Sequence, residues 1–176
     1  MAARADEARL TPARGVTGSQ LAAKLRTPFA TLAIVTEGDA IASIRYLPRG
    51  ERAQAARTPA ARLAVEQLQR YLDDPGWRFT LPLAARGTAF QRRVWEAICA
   101  IPVGESRTYG EIARSVRSSA RAVGGACGAN RIALVIPCHR VVGSRGVLGG
   151  FMNEAEGESV EIKRWLLAHE GYRFGA

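Results

Sequence analysis

Hydrophobic positions along the chain change period several times, and each change marks an element. Residues 1–26 mix Ala, Arg, Gly and Thr without a period, which predicts a loose N-terminal extension. Thr31-Leu-Ala-Ile-Val-Thr36 and Ile41-Ala-Ser-Ile-Arg-Tyr-Leu47 are strand-like runs on either side of Glu37-Gly-Asp39, a hairpin signal. Thr58-Pro59 supplies an N-cap and a proline at the first helical position. Ala61, Val65, Leu68 and Leu72 follow at helical spacing until Asp73-Asp-Pro-Gly76. Phe79-Thr-Leu-Pro-Leu83 reads as another short strand. A boundary falls at Ala84-Ala-Arg-Gly87, separating an α/β domain over 27–84 from a second domain over 88–176.

The second domain is denser in signals. Thr88-Ala-Phe-Gln91 is a capping box, and Phe90, Val94, Ile98 and Ile101 form one helical stripe that Pro102-Val-Gly104 closes. Thr108-Tyr-Gly-Glu111 is a second capping box, opening a helix with Ile112, Ala113 and Val116 inward. Only Arg117-Ser-Ser119 separates it from a third helix over Ser119 to Ala129, a linkage as tight as that of a helix-turn-helix. Ile132-Ala-Leu-Val-Ile136 is wholly apolar and predicts a buried strand. Val160 to Glu170 is a last helix, closed by Gly171.

Charge changes the picture by suggesting a partner. The net charge is +9, almost all from arginine, since Lys24 and Lys163 are the only lysines. Such a surface suits phosphate, although an Ala/Arg compositional bias would give the same number. No apolar run approaches the roughly 20 residues that span a bilayer, and the first residues lead into no signal-like stretch. Cys99, Cys127 and Cys138 form no even disulfide framework, and with His139 and His169 they match no zinc spacing. The expectation is a reduced cytoplasmic compartment, close to the nucleoid, with no metal.

Three features could carry chemistry. The third helix places Gly124, Gly125 and Gly128 within about two turns, at a cost of about 1 kcal/mol each against alanine. Either another backbone comes close there, such as nucleic acid, or the helix packs tightly on a neighbour. Arg121 lies in its first turn, where a recognition helix reaches DNA. Second, Pro137-Cys138-His139-Arg140 follows the apolar run directly. The cysteine is either structural or, on a turn where an imidazole can favour its thiolate, a nucleophile. Third, Glu170 continues the Ile162–Leu166 face at a helix C-terminus, where negative charge is disfavoured. It is either solvated at a frayed end or paired, with an imidazole as one candidate partner.

Together these residues resemble the O6-alkylguanine-DNA alkyltransferases, also called methylated-DNA–protein-cysteine methyltransferases. The resemblance runs from about Thr88 to Gly171. It rests on Phe90-Gln-Arg-Arg-Val-Trp95, Ile101-Pro-Val-Gly-Glu105, Thr108-Tyr-Gly-Glu-Ile-Ala113, Arg121-Ala-Val-Gly124, Gly128-Ala-Asn130, Ile136-Pro-Cys-His-Arg-Val141 and Trp165-Leu-Leu-Ala-His-Glu-Gly171. It implies an α/β fold: a small ribonuclease-H-like N-terminal domain and a mostly helical, winged-helix-like C-terminal domain whose helix-turn-helix enters the minor groove. By the same resemblance Cys138 would take the alkyl group once and irreversibly, His139 would receive the thiol proton through a water, Glu170 would hold His139, and Asn130 would brace the turn. Arg121, Tyr109, Ser119, Ala122, Gly124 and Arg140 would face DNA, and Cys127, Val141, Phe151 and Met152 the lesion pocket. The substrate would be double-stranded DNA carrying O6-alkylguanine, and O4-alkylthymine besides. The protein would act as a monomer and need no cofactor.

The chain departs from the family at the pocket loop. Members carry Gly-Tyr, a small residue and Gly; here the stretch is Gly149-Gly-Phe-Met-Asn153, and extra residues within Glu154-Ala-Glu-Gly-Glu-Ser159 precede the last helix. Phe151 cannot donate the hydrogen bond that the family tyrosine offers, so Ser159 and Asn153 are candidate substitutes. Two other classes share parts of the pattern: a non-enzymatic lesion sensor of the alkyltransferase-like kind, and a helix-turn-helix transcription regulator.

Overall fold

The computed structural model describes residues 18–174. The chain divides into two compact units, one ending at Arg86 and the other beginning at Gly87. The expectation for residues 1–17 lies outside the described residues.

In the first unit, β1 (Gln20–Arg26), β2 (Thr31–Glu37) and β3 (Ala40–Leu47) form an antiparallel sheet in that order, with α1 (Pro59–Asp73) against it. Residues 20–26, expected to be loose, are therefore a strand. A register shift between Leu21 and Ala23 places Ala22 and Ala23 together in the core, and this breaks the alternation by which a strand is recognised. β2 is buried along its whole length, as the central strand. α1 starts at the predicted cap, with the Thr58 hydroxyl accepting from the Ala61 amide at 3.1 Å. Its buried face is Ala60, Ala61, Ala64, Gln67, Leu68 and Tyr71, while Val65 and Leu72 are only half-buried. The face turns because the Gln67 side chain is drawn inward, exchanging hydrogen bonds with Thr80. The segment 79–83 forms no strand. A single bridge joins Leu83 to Ile41, and Pro82 can only accept from Ile41 because it has no N–H to donate.

In the second unit, α2 (Ala89–Cys99) and α3 (Tyr109–Ser115) open on the two predicted capping boxes, each complete in both directions. α2 buries Val94, Trp95 and Ile98, and Trp95 donates its indole N–H to the Ala126 carbonyl at 2.8 Å. That carbonyl belongs to α4 (Ala120–Gly128), which Ser119 caps by accepting from the Ala122 amide. A two-residue strand, β4 (Arg107–Thr108), pairs in parallel with β5 (Val141–Val142). α5 (Glu158–His169) follows the pocket loop.

The apolar run 132–136 is buried but is not a strand. The Ile136 amide donates to the Ile132 carbonyl at 3.0 Å, closing a tight turn, and Leu134 sits at φ +85° inside it. Few non-glycine residues occupy that region. Asn130 holds the turn from both ends: its Oδ1 accepts from the Ile132 amide at 2.9 Å and its Nδ2 donates to the Ile136 carbonyl at 3.0 Å. An apolar run alone does not distinguish a strand from such a turn; the asparagine before it decides.

Candidate active site

The clamped turn delivers Cys138 to a 3-10 turn, Cys138–Arg140. Asn130 Nδ2 also donates to Cys138 Sγ at 3.0 Å, so one amide fixes both the turn and the sulfur. Cys138 is 4% exposed. It forms part of the wall of an open cavity of about 270 Å3, shared with Tyr109, Gly124, Cys127, Phe151 and Met152. Tyr109 donates its hydroxyl to the Gly150 carbonyl at 3.3 Å, and burial raises its pKa.

Behind the sulfur lies a buried ionic cluster. His139 Nε2 is 2.8 Å from Glu170 Oε1. Arg140 donates from Nε to Oε2 at 2.8 Å and from Nη2 to Oε1 at 2.9 Å, and from Nη1 to the Ile101 carbonyl at 2.7 Å. Burial alone would raise the pKa of Glu170, but hydrogen bonds from His139 and Arg140, with their charges, bring it down to about 2. The carboxylate that a helix C-terminus disfavours is thus paired rather than frayed. An ionised carboxylate only accepts, so Nε2 of His139 carries the proton and Nδ1 keeps a lone pair. Burial lowers the His139 pKa further than the Glu170 hydrogen bond and charge raise it, so the imidazole is neutral at pH 7 and can take a proton. Nδ1 is buried, with no hydrogen-bond partner among the described residues.

Cys138 is not held as a thiolate at rest. Its hydrogen bond to Cys127, then burial and the charge of Cys127, raise its pKa well above that of an ordinary thiol, against the lowering effect of Asn130. The sulfur therefore stays protonated until attack and must lose its proton during it.

Several expected site residues stand elsewhere. Arg140 was expected at the DNA; its guanidinium is turned inward onto Glu170. Val141 does not line the cavity: its side chain is fully buried, and its carbonyl accepts from Lys163 Nζ at 2.6 Å. Ser159 is buried and does not line it either; Asn153 does line it, with one Nδ2 hydrogen given to the Gly128 carbonyl at 3.0 Å and a second N–H left to donate. Phe151 and Met152 do line it. Arg121 is exposed in the first turn of α4, Ala122 half-buried beside it.

The glycine question divides. A Cβ on Gly128 would meet Asn153 Oδ1 at 1.8 Å, so that position serves packing, whereas a Cβ on Gly124 or Gly125 would meet nothing within 4 Å. Their side of α4 is bare backbone.

Lys163 escaped the sequence reading. It is fully buried, donates to the Val141 and Gly150 carbonyls at 2.6 and 3.0 Å, and ties β5 to the pocket loop. Burial brings its pKa down to about 8 despite the nearby cysteines. A signal existed: Lys163 falls on the same helical face as Ser159, Ile162, Leu166 and Leu167, in a chain that, Lys24 apart, otherwise uses arginine. The contact between the Cys127 and Cys138 thiols carried no sequence signal.

Known proteins resemble this chain over most of its length. The profile of the family described as "6-O-methylguanine DNA methyltransferase, DNA binding domain" matches residues 89–172. The methylated-DNA–protein-cysteine methyltransferase of Mycobacterium bovis is 40% identical over 153 residues, 84% of this chain and 90% of that protein. The Salmonella typhimurium protein of the same name is 50% identical over 95 residues, 53% of each chain. Among solved structures, Mycobacterium tuberculosis OGT in complex with DNA superposes with a TM-score of 0.69 at 38% identity, covering 84% of this chain and 91% of that one.

Proposed function

The chain belongs to the methylated-DNA–protein-cysteine methyltransferases, and from that premise we propose how its own residues perform the family's reaction. The protein binds DNA and repairs it by direct reversal, moving an alkyl group from the damaged DNA to one of its cysteines. The observation that carries the assignment is the buried Cys138 thiol in the cavity wall, fixed by Asn130 and backed by the neutral His139–Glu170 pair. Two other cysteines are present, but Cys99 does not line the cavity, and among the described residues it is Cys138 that Asn130 holds and that His139 follows in the chain.

The substrate we infer is an O6-alkylguanine turned out of the duplex, because an alkyl carbon inside the stack cannot meet a buried thiol. The cavity, about 270 Å3, lies below the usual ~300–1,000 Å3 of drug-sized pockets and suits one base. Sulfur attacks the alkyl carbon in line; the S–C bond forms, the C–O6 bond breaks, and its electrons remain on guanine. The thiol proton passes to His139 Nδ1 through solvent, and Glu170 stabilises the imidazolium. The thioether that results is not a leaving group under these conditions, so each molecule acts once. O4-alkylthymine offers the same carbon–oxygen bond.

We read α3–α4 as a winged-helix-like helix-turn-helix and the first unit as ribonuclease-H-like. In this reading α4 lies in the minor groove, Arg121 enters the stack where the base leaves, Tyr109 crowds the phosphate, and the protein is a monomer. Net charge +9 supports phosphate contact, and a reduced cytoplasm close to the nucleoid suits a free acceptor thiol. The bare backbone at Gly124 supports close approach of DNA. Gly124→Ala is therefore expected to raise stability by about 1 kcal/mol, the helix-propensity gain, while weakening binding to unmodified duplex. Thermal denaturation and fluorescence anisotropy measure the two; stability and affinity rising together would remove the close approach.

Intact-mass measurement after incubation with an O6-methylguanine duplex tests the function itself. One addition of about 14 Da per molecule, methyl for hydrogen, is expected. Tight binding with no added mass would make the protein a lesion sensor. Strong preference for one undamaged sequence would make it a regulator.

A further inference from the structure

Cys127 has no part in the transfer just described, yet it touches the one sulfur that does. It lies on α4, is half-buried, and shares the cavity wall with Cys138. The two thiols hydrogen-bond to each other. Cys99, the remaining cysteine, ends α2 and does not line the cavity. We propose that Cys127 is an oxidation site that closes a disulfide onto Cys138, withdrawing the acceptor sulfur reversibly and shielding it from irreversible oxidation.

The chemistry follows from which thiol meets the oxidant first. Cys138 is nearly inaccessible and held protonated, so it reacts slowly with a peroxide. The hydrogen bond with Cys138 lowers the Cys127 pKa against the effect of burial, and the nearby Lys163 charge lowers it further. The more thiolate-like sulfur is the one oxidised. With hydrogen peroxide as oxidant, Cys127 becomes a sulfenic acid and one water leaves. The Cys138 thiol then attacks that sulfur, the S–S bond forms, the S–O bond breaks, and a second water carries away the hydroxyl with the thiol proton. Two electrons have passed from the thiol pair to peroxide. A dithiol reductant returns both thiols through a mixed disulfide. A bridge of ordinary geometry needs the two Cα atoms within about 7 Å of each other, and the side-chain hydrogen bond between thiols that share one cavity wall points to such proximity. A Cys138 that has already accepted an alkyl group has no thiol to offer, so repaired protein cannot close the bridge.

The proposal takes Cys138 as the acceptor from the reading above, but its first test does not depend on alkyl transfer. Full-length protein is treated with hydrogen peroxide, free thiols are blocked, and the chain is digested with trypsin. Cleavage after Arg131 puts Cys127 in the peptide 122–131 and Cys138 in the peptide 132–140. The expected result is a disulfide joining these two peptides, with an intact-mass loss of about 2 Da for the two thiol hydrogens. A bridge to Cys99, or no bridge while Cys138 appears as sulfinic acid, overturns the proposal and leaves the repair function standing. The second test is acceptor capacity after peroxide and then dithiothreitol, each protein referred to its own untreated value. The wild type should lose its capacity and regain most of it, whereas Cys127→Ser should lose it without recovery. Equal recovery in both overturns the protective role. If untreated wild type shows no acceptor capacity at all, the repair reading fails, and the disulfide is judged by the peptide map alone.

Discussion

Cys138→Ser should reduce methyl transfer by at least ~1,000-fold, because a serine hydroxyl at this site has no base strong enough to ionise it and is a far weaker nucleophile than a thiolate. Serine is close in volume and can still accept from Asn130 Nδ2, which donates to the sulfur at 3.0 Å in the wild type. The turn over 132–136 should therefore keep its shape, and affinity for methylated duplex should change by only a small factor. Single-turnover assays and binding isotherms on the same preparation separate the two quantities. In the wild type the methyl group should map to the peptide 132–140 and nowhere else. A methyl on Cys127, or transfer surviving in Cys138→Ser, would remove Cys138 as the acceptor.

Glu170→Gln should be costly in two ways. Glu170 is the common partner of His139 and Arg140, and its side chain is fully buried. Removing the charge leaves a guanidinium that is only 12% exposed without its counter-ion, and breaking such a buried pair typically costs ~3–5 kcal/mol. The pH dependence fixes the origin of the loss. The Glu170 pKa is depressed in the folded protein, to about 2, so its contribution is complete above the unfolded value of 4.5 and is lost as pH falls toward 2. The stability gap between wild type and variant should accordingly be widest near neutral pH and close below pH 4.5. Denaturant midpoints across that range measure it. A gap that stays constant with pH would mean that the charge of Glu170 is not what stabilises the cluster. Under conditions where the variant is folded, transfer should slow by roughly 10- to 100-fold, as His139 loses the group that orients it and stabilises its charged form. Binding to undamaged duplex should change little. Equal losses in rate and affinity would confine Glu170 to holding the fold.

The mismatch at Phe151 bears on the same step. With Ser159 buried outside the cavity, Asn153 is the expected substitute that remains: it lines the cavity, and its Nδ2 has a second hydrogen besides the one given to the Gly128 carbonyl. The hydroxyl that the cavity does offer is that of Tyr109, now donating to the Gly150 carbonyl at 3.3 Å. That bond is long for O–H···O, so exchanging it for a substrate acceptor costs little.

Local chemistry was legible in the sequence wherever neighbours along the chain decide it. Thr58-Pro59, Thr88 with Gln91, Thr108 with Glu111 and the Glu37-Gly-Asp39 turn each act within a few residues, and each places its element where the sequence predicts. Glu170 was legible as an anomaly, a charge on an apolar face at the wrong helix end. Cys138, His139 and Asn130 could be named from the motif around them.

What the sequence left open depended on groups far apart in the chain. Residues 20–26 become a strand because β2 pairs with them, and the bulge at Leu21–Ala23 hides the alternation that would have announced it. The run 132–136 is a turn because Asn130 satisfies its backbone, a choice that hydrophobicity cannot express. Arg140 faces inward because a carboxylate 30 residues away needs a counter-ion in a buried site, where leaving it unpaired costs more than turning a surface arginine in. Lys163 is buried because two carbonyls, of Val141 and Gly150, converge on it. Composition and local pattern thus determined which residues could do the chemistry. Which of them meet, and in what protonation state, was decided by burial and by partners that only the folded chain brings together.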